Sequence, residues 1–528
     1  MQRPNFLFVI TDQHRHDHLG CAGNQILKTP NIDGLARTGT QFENFYVASA
    51  ICMPNRASIM TGRMPSLHGV RFNGIPLSRD AVTFVDLLRS AGYETALIGK
   101  SHLQNFTERE ATYKGEQGLA GDPPPTALTE ARRTHLSGPD YEQERIPRET
   151  RAGYSSLATP FYGFDHVELC TLHGDRVHGH YAEWLESNHE DARALRSRKN
   201  LIPDDRYTAP QAFRTRVPES LYSTAYVGSR TEAFLESHAA RNDDAPFFVQ
   251  CSFPDPHHPY TPPGRYWDLY DPAEIPLPEA YHQKDLPPTV EYVHERSGQH
   301  GFDRAGLLPF RTSERETQEI IALTYGMITN VDDAIGRIIS TLERLGLAEN
   351  TVIVFTSDHG DFMGDRQIML KGPLHYQGIA KVPFIWRDPT QTRQGERVSA
   401  LGCSLDISRT ILSRAGLAPF NGMQGKDLQP LIDGSDHTIR ESLLIEQDTQ
   451  NGNFGFNGPI RARTLVTERW RLSTYQGAEF AELYDLTTDP FEMENQWGHS
   501  RHQSELLRAM VDEMTALQEV SPLPTMYA

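Results

Sequence analysis

Phe6-Leu7-Phe8-Val9-Ile10-Thr11-Asp12-Gln13 runs five apolar residues straight into a carboxyl–carboxamide pair. So short an unbroken apolar run reads as a strand buried on both faces, the habit of a parallel sheet. Thr29-Pro30 then suits a helix start, with Gly39 at its end. Residues 42–47 read as a strand, Pro54 and Gly62 bracket a helix, residues 83–91 are helical, and 95–98 are a strand. Alternation of this kind predicts an α/β fold with a parallel sheet.

The rhythm breaks over residues 105–220, which are rich in Arg, Glu, Pro and Gly, and again over about 259–312. Both are read as insertions, the first supplying lid or homo-oligomer contacts. Between and after them the alternation resumes: helix 222–240, strand 246–253, helix 314–346, strands 351–356 and 383–386, helix 405–415. In the long helix Ile321, Ile328, Val331, Ile335, Ile338, Leu342 and Leu345 recur at steps of three, four or seven. From about 436 the character changes. Strand-like segments at 442–446 and 461–474 precede a helix at 502–518. The expected organisation is a catalytic domain over 1–435 and a small α+β subdomain with antiparallel strands over 436–528.

The 528 residues carry 51 basic and 69 acidic side chains, a formal charge of −18. Such a chain is a poor candidate for nucleic acid, and an anionic substrate would need locally concentrated positive charge. No apolar stretch approaches a membrane span, and the run at 6–10 is too short for a leader. The five cysteines are scattered and show no metal-ligand spacing. They are read as reduced thiols, and the protein as cytoplasmic.

Chemistry concentrates where strands end. Ligands of open α/β sheets sit beyond the carboxyl ends of the strands, and both Asp12-Gln13 and Asp358-His359 stand at such ends. If their strands are neighbours, two carboxylates, an amide oxygen and an imidazole converge on a site for a divalent cation. Cys52-Met53-Pro54-Asn55-Arg56, with Thr61-Gly62 beyond, is the sharpest signal. A cysteine at a helix start lies among unpaired N–H groups and the positive dipole end, which suits a thiolate or an oxyanion. Arg56, one turn on, projects to the same side. Read alone, the same pattern also describes a structural cysteine before a helix. Lys100 and His102 follow a strand end and, by period-two alternation, point the same way, fit to bind an oxyanion and move a proton. His257, between prolines 256 and 259, is a rigidly placed candidate acid. Lys371 by itself carries no signal.

Taken together and in order, N-F-L-F-V-I-T-D-Q, C-M-P-N-R-A-S-I-M-T-G-R, G-K-S-H-L, D-P-H-H-P-Y, T-S-D-H-G-D and E-L-Y-D-L-T-T-D-P-F-E resemble the sulfatase family of the alkaline phosphatase superfamily. The resemblance spans nearly the whole chain outside the two insertions. It implies a large mixed, mostly parallel sheet sandwiched by helices, and hydrolysis of a sulfate monoester to alcohol and sulfate. It further implies that a formylglycine-generating maturation enzyme converts Cys52 to formylglycine, whose hydrated diol is the nucleophile, one of its oxygens binding the metal. Asp12, Gln13, Asp358 and His359 match the metal ligands, Arg56 the residue stabilising the diol, and Lys100 and Lys371 the lysines on the sulfate oxygens. His102 matches the histidine contacting the diol, and His257 the one protonating the leaving oxygen.

Gln13 and His359 replace the Asp and Asn of many sulfatases. Calcium is the expected metal, with manganese, better suited to an imidazole, as the alternative. The same two pairs look like those of phosphonate monoester hydrolases, which typically lack the Lys-x-His motif. Hydrolysis of phosphonate monoesters or phosphodiesters is therefore the second expectation, and a non-catalytic anion-binding protein the third.

Overall fold

The computed structural model describes residues 3–106, 138–145, 157–241, 244–450 and 454–523, and positions 125, 127, 136 and 452. Nine strands build the main sheet: β1 (Asn5–Thr11), β2 (Thr40–Tyr46), β3 (Glu94–Gly99), β4 (His166–Thr171), β5 (His178–Gly179), β6 (Phe247–Ser252), β8 (Thr351–Ser357), β10 (Phe384–Arg387) and β11 (Glu396–Cys403). Two short strands, β7 (Phe310–Arg311) and β9 (Ile368–Met369), pair as a separate ribbon. The order of the main sheet is β11-β2-β10-β8-β1-β6-β3-β4-β5. Its centre, β8-β1-β6-β3-β4, is parallel throughout, whereas β10 and β5 run against their neighbours. The expected mixed, mostly parallel sheet is the observed one.

The opening strand shows how sequence becomes layers. Phe6, Phe8 and Ile10 join one apolar cluster and Leu7 and Val9 another, so the period-two backbone feeds both faces. On the first face lie Met53, Ala57 and Met60 of helix Cys52–Thr61, together with helices Phe84–Ser90 and Ser404–Arg414. On the second lie helix Pro30–Thr38, helix Ser223–Arg241 and the apolar stripe of Glu314–Arg344. Each fully buried Leu, Ile or Phe contributes about 1.5–3 kcal/mol. No helix among the described residues is long and apolar enough to cross a membrane.

A four-stranded antiparallel sheet, β12 (Ser442–Asp448), β13 (Arg461–Thr467), β14 (Trp470–Tyr475) and β15 (Ala481–Asp485), follows with helix Gln503–Glu519. Leu444, Leu465, Leu472 and Leu483 extend the first-face cluster without a break.

Three details depart from the expected layout. The stretch 461–474 is a hairpin and not one strand, because Thr467 Oγ1 accepts from Arg469 N and Trp470 N and turns the chain. The stretch 105–220 is not all excursion, since its β4 extends the main sheet beside β3. Residues 107–124 and 146–156 of that stretch lie outside the described residues. Strands β11 and β15 occupy segments where no strand was expected.

Candidate active site

Because β8, β1, β6, β3 and β4 are parallel neighbours, their carboxyl ends share one edge. Thr11 pairs with Ser357, Ile10 with Ser252, and Gly99 with both Ser252 and Leu169. The residues just beyond these ends, Asp12, Asp358, Asp255, Lys100 and His173, are therefore brought to the same rim. Gln13 turns sharply in the left-handed region, φ 63°, and its N–H donates to Asp358 Oδ1 at 3.1 Å.

Cys52 begins its helix after an extended Ile51, with no side-chain cap and no acidic residue in the first turn. Gly62, φ 63°, closes the helix in the left-handed conformation that glycine adopts without strain. Cys52 Sγ lies 3.0 Å from His359 Nε2 and 3.8 Å from Asp12 Oδ1. His359 Nε2 is 3.6 Å from one oxygen each of Asp12 and Asp358. Its Nδ1 sits 2.8 Å from the Gly360 carbonyl, which only a protonated nitrogen can approach, so Nε2 keeps its lone pair toward the cluster. Burial pushes His359 down to about 4, which keeps it neutral. Asp12, Cys52, Asp358 and His359 thus present four convergent donor atoms, all buried. Two carboxylates and a correctly tautomeric imidazole fit a divalent cation. Gln13 is adjacent but engaged elsewhere: Oε1 accepts from Lys371 Nζ at 2.6 Å, and Nε2 donates to Asp361.

Arg56 ties the rim together. Its Nε donates to Asp358 Oδ2 at 2.7 Å, and Nη1 donates to the Lys100 carbonyl at 2.9 Å and to Ser252 Oγ at 3.0 Å. Its Nη2 is buried with no protein partner. The positive charge that an acidic chain must concentrate is supplied by this guanidinium and two lysines. Lys100, fully buried, pairs with Asp12 and donates to His173 Nε2 at 2.8 Å. Lys371 donates to His257 Nε2 at 2.8 Å. Burial alone would raise the Asp12 carboxyl, but the Lys100 ammonium holds it well below the usual carboxylate range. Burial raises the Cys52 thiol, against the opposing pull of Lys371 and Lys100. His257 Nδ1 lies 2.6 Å from the His258 carbonyl, so Nε2 is its working nitrogen. His102 is held in the left-handed region, φ 57°, with its ring stacked on Phe106 at 3.9 Å.

The expected residues Asp12, Cys52, Arg56, Lys100, His257, Asp358, His359 and Lys371 all meet here. His102 follows Lys100 at the same strand end, and burial, with the nearby Lys100 and Arg56 charges, holds its imidazole well below the ordinary value. Four residues were missed. His173 stacks on His257, ring centroids 3.5 Å apart and 9° from parallel. His258 Nδ1 lies 3.2 Å from Gln13 Nε2. Asp361, raised by burial to about 6, receives Gln13 and the N–H groups of Met363 and Leu370. Glu144, fully buried, accepts from the N–H groups of His102, Leu103 and Gln104 at 2.7–3.0 Å. His258 and Asp361 stood inside quoted motifs. His173 had only its place beyond an unrecognised strand, and Glu144 had no signal at all. A second triad, Asp12, His173 and His257, also converges, but the Lys100 ammonium already contacts Asp12 and His173.

This arrangement of convergent acids, imidazoles and ammonium groups around a helix-start cysteine is the candidate site, and its chemistry fits hydrolysis of an anionic ester. The sulfatase family model matches residues 4–417, and a model of the N-sulphoglucosamine sulphohydrolase C-terminal region matches 366–520. The chain belongs to the sulfatase family and is a sulfuric ester hydrolase by class. It is 26% identical to an arylsulfatase of Clostridium perfringens, covering 93% of this chain and 90% of the relative. It is also 26% identical to the multifunctional alkaline phosphatase superfamily protein PehA of Trinickia caryophylli, covering 94% and 91%. Among solved structures it resembles the phosphonate monoester hydrolase of Agrobacterium radiobacter, with TM-score 0.73 and 25% identity over 98% of this chain and 95% of that one.

Proposed function

We propose that this protein hydrolyses a sulfate monoester, releasing the alcohol and inorganic sulfate, with Cys52 as the position of the nucleophile after conversion to formylglycine. The observation that carries the reading is the convergence of Asp12, Asp358 and His359 on Cys52, with the Lys100 ammonium on Asp12 and the Lys371 ammonium on Gln13 and His257 at the same rim. Hydrated formylglycine at Cys52 would supply a hydroxyl for attack on sulfur, with Arg56 fixing its position from the same helix. A divalent cation held by Asp12, Asp358 and His359 would supply Lewis-acid polarisation and neutralise charge at the sulfate. Lys100 and Lys371 bind the sulfate oxygens, whose negative charge is present in the ester and in the transition state alike, so their attraction is exerted in both. Lys371 holds a proton 2.8 Å from His257 Nε2, so the pair together can deliver one to the leaving oxygen.

Calcium, which suits the carboxylate oxygens, is the first cation to test, and manganese, which better suits the imidazole, the second. Intact mass of protein from its native host is expected to show sulfur exchanged for oxygen with loss of two hydrogens at Cys52. An unmodified Cys52 there would count against the reading. Hydrolysis of phosphonate monoesters is the second reading. The Asp-Gln and Asp-His pairs and the likeness to the Agrobacterium enzyme favour it, and the Lys-x-His motif opposes it. Parallel assays of the converted, metal-replete enzyme with an aryl sulfate and an aryl phosphonate monoester decide between them. The sulfate is expected to be preferred, and a preference for the phosphonate by orders of magnitude would reverse the order.

A further inference from the structure

Histidine 173 is delivered into the site by strained backbone. Leu172, φ 63°, and Gly174, φ 59°, flank it in the left-handed region. For a side chain such as leucine that conformation costs on the order of 1–3 kcal/mol and persists only where the surroundings impose it. Here they do. Any Cβ at Gly174 would lie 2.8 Å from Thr261 Oγ1 and 3.0 Å from Pro259. The N–H of Asp175 donates to the same Thr261 hydroxyl at 3.1 Å. The turn is thus clamped on the loop that carries His257.

The outcome is two lysine–histidine units set face to face. Lys100 Nζ donates to His173 Nε2 while also contacting Asp12, and Lys371 Nζ donates to His257 Nε2. An ammonium has only hydrogens to offer, so both Nε2 atoms accept from a lysine, and His173 Nε2 also lies 3.3 Å from Asp12 Oδ2, on the carboxylate that Lys100 itself contacts. The two rings stack at 3.5 Å. A lysine side chain left to itself loses up to about 2 kcal/mol of rotamer freedom when a ligand orders it. His173 orders Lys100 in advance, and its ring face fixes His257 relative to that ammonium. Preorganisation of this kind lowers the cost of reaching the reactive geometry.

We propose that His173 is a positioning residue of the hydrolysis, holding the Lys100 ammonium through Nε2 and the His257 ring through its face. The proposal rests on the reading of Lys100 and Lys371 as the anion-binding groups. Three variants separate the two contacts. His173→Phe keeps a ring face and loses the acceptor. It is expected to raise KM for an aryl sulfate about tenfold with kcat little changed, the mark of lost uniform binding. His173→Gln keeps an acceptor and loses the stack. It is expected to leave KM near that of the wild type and to lower kcat more for an alkyl sulfate than for a nitrophenyl sulfate, whose leaving oxygen needs no proton. His173→Ala is expected to lose about 10²-fold in kcat/KM, with Gln rescuing KM and Phe rescuing kcat.

All four proteins are compared for thermal midpoint. Equal losses in all three variants together with a lowered midpoint, or kcat/KM within twofold of wild type in all three, would overturn the proposal. If the wild type cleaves no sulfate ester but does cleave an aryl phosphonate monoester, the functional reading fails while the same series is read on the phosphonate. If it cleaves neither, calorimetric titration of inorganic sulfate into the unconverted protein takes its place. About tenfold weaker binding by His173→Phe is then the expected result, and no binding by the wild type, or none lost in the variant, overturns the proposal.

Discussion

Two cysteines stand at the starts of two helices that touch each other, and their surroundings have little in common. Cys403 caps helix Ser404–Arg414, and three residues on Asp406 returns its carboxylate to the Cys403 N–H at 2.8 Å. The same carboxylate accepts from Lys426 N and pairs with Arg440. Cys52 starts helix Cys52–Thr61, and three residues on stands Asn55, whose Nδ2 donates to the Asp358 carbonyl at 2.6 Å. Asn55 Oδ1 also receives Ser404 Oγ at 2.6 Å, so the two helix starts are hydrogen-bonded to each other. At Cys403 the chain answers the positive helix end with its own carboxylate, and burial beside Asp406 lifts the thiol to about 12. At Cys52 no acidic side chain from the helix does so, and the sulfur faces His359 and Asp12, which come from other elements. A helix-start cysteine is structural when its own first turn supplies the anion, and a candidate nucleophile when the first turn leaves that place to others.

The comparison can be broken first by the cysteines themselves. Cys52→Ala is expected to lower kcat by about 10⁴-fold or more, while Cys403→Ala stays within about twofold. Steady-state kinetics on both would reverse the assignment if the losses were exchanged. Next in size, Asp406→Ala strands the buried Arg440 guanidinium and is expected to cost about 3–5 kcal/mol in urea unfolding, with activity per folded molecule retained. Asn55→Asp would give the Cys52 helix the carboxylate its neighbour has, at the expense of the bond to the Asp358 carbonyl. A loss of about 10²-fold in kcat/KM is expected, and wild-type activity in that variant would show that the two helix starts do not differ in this respect.

Glu144 tests the same idea away from a helix. Burial raises its carboxyl from 4.5 to about 7, although three backbone N–H groups pull it down. The folded protein therefore holds this proton more tightly than the unfolded chain does. The resulting stabilisation is complete below about pH 4.5 and is lost as the pH rises through about 7. Relative to Glu144→Gln, the unfolding free energy of the wild type should fall by at most about 3 kcal/mol between pH 4.5 and 7. Parallel pH profiles of the two proteins would contradict it. The smallest effect is expected at a helix start with no cysteine. Thr83→Ala removes a capping box from helix Phe84–Ser90 and should cost about 1 kcal/mol in the same unfolding assay.

Residues whose role follows from local rules were legible in advance. The apolar run at 6–10, the proline and glycine bracketing Cys52, and the stripe of the long helix each carry their own periodicity or cap. The metal-ligand candidates were legible because strand ends in a parallel sheet share an edge, so one topological statement placed Asp12 beside Asp358. His173 was hidden because His166-Val167-Glu168-Leu169-Cys170-Thr171 is a strand with a polar start, in a stretch whose composition reads as loop. Gln13 stands beside the other ligand candidates, and the contacts of its carboxamide with Lys371 and Asp361 are ones that no motif encodes. The 461–474 segment concealed its turn because Glu468-Arg469 interrupts a β-rich run without glycine or proline. Glu144 depends on a fold-back of some forty residues, and no spacing rule reaches that far.

One consequence follows from how deeply the reactive position lies. Cys52 is 1% exposed, beneath Asp12, His359 and the helix that carries it. An enzyme that must grasp the polypeptide around a cysteine has no access once the central strands have zipped together. If Cys52 is converted as proposed, that chemistry belongs to the nascent or unfolded chain, and a molecule that folds first keeps its thiol out of reach. The time between translation and closure of the sheet would then set what fraction of molecules is competent.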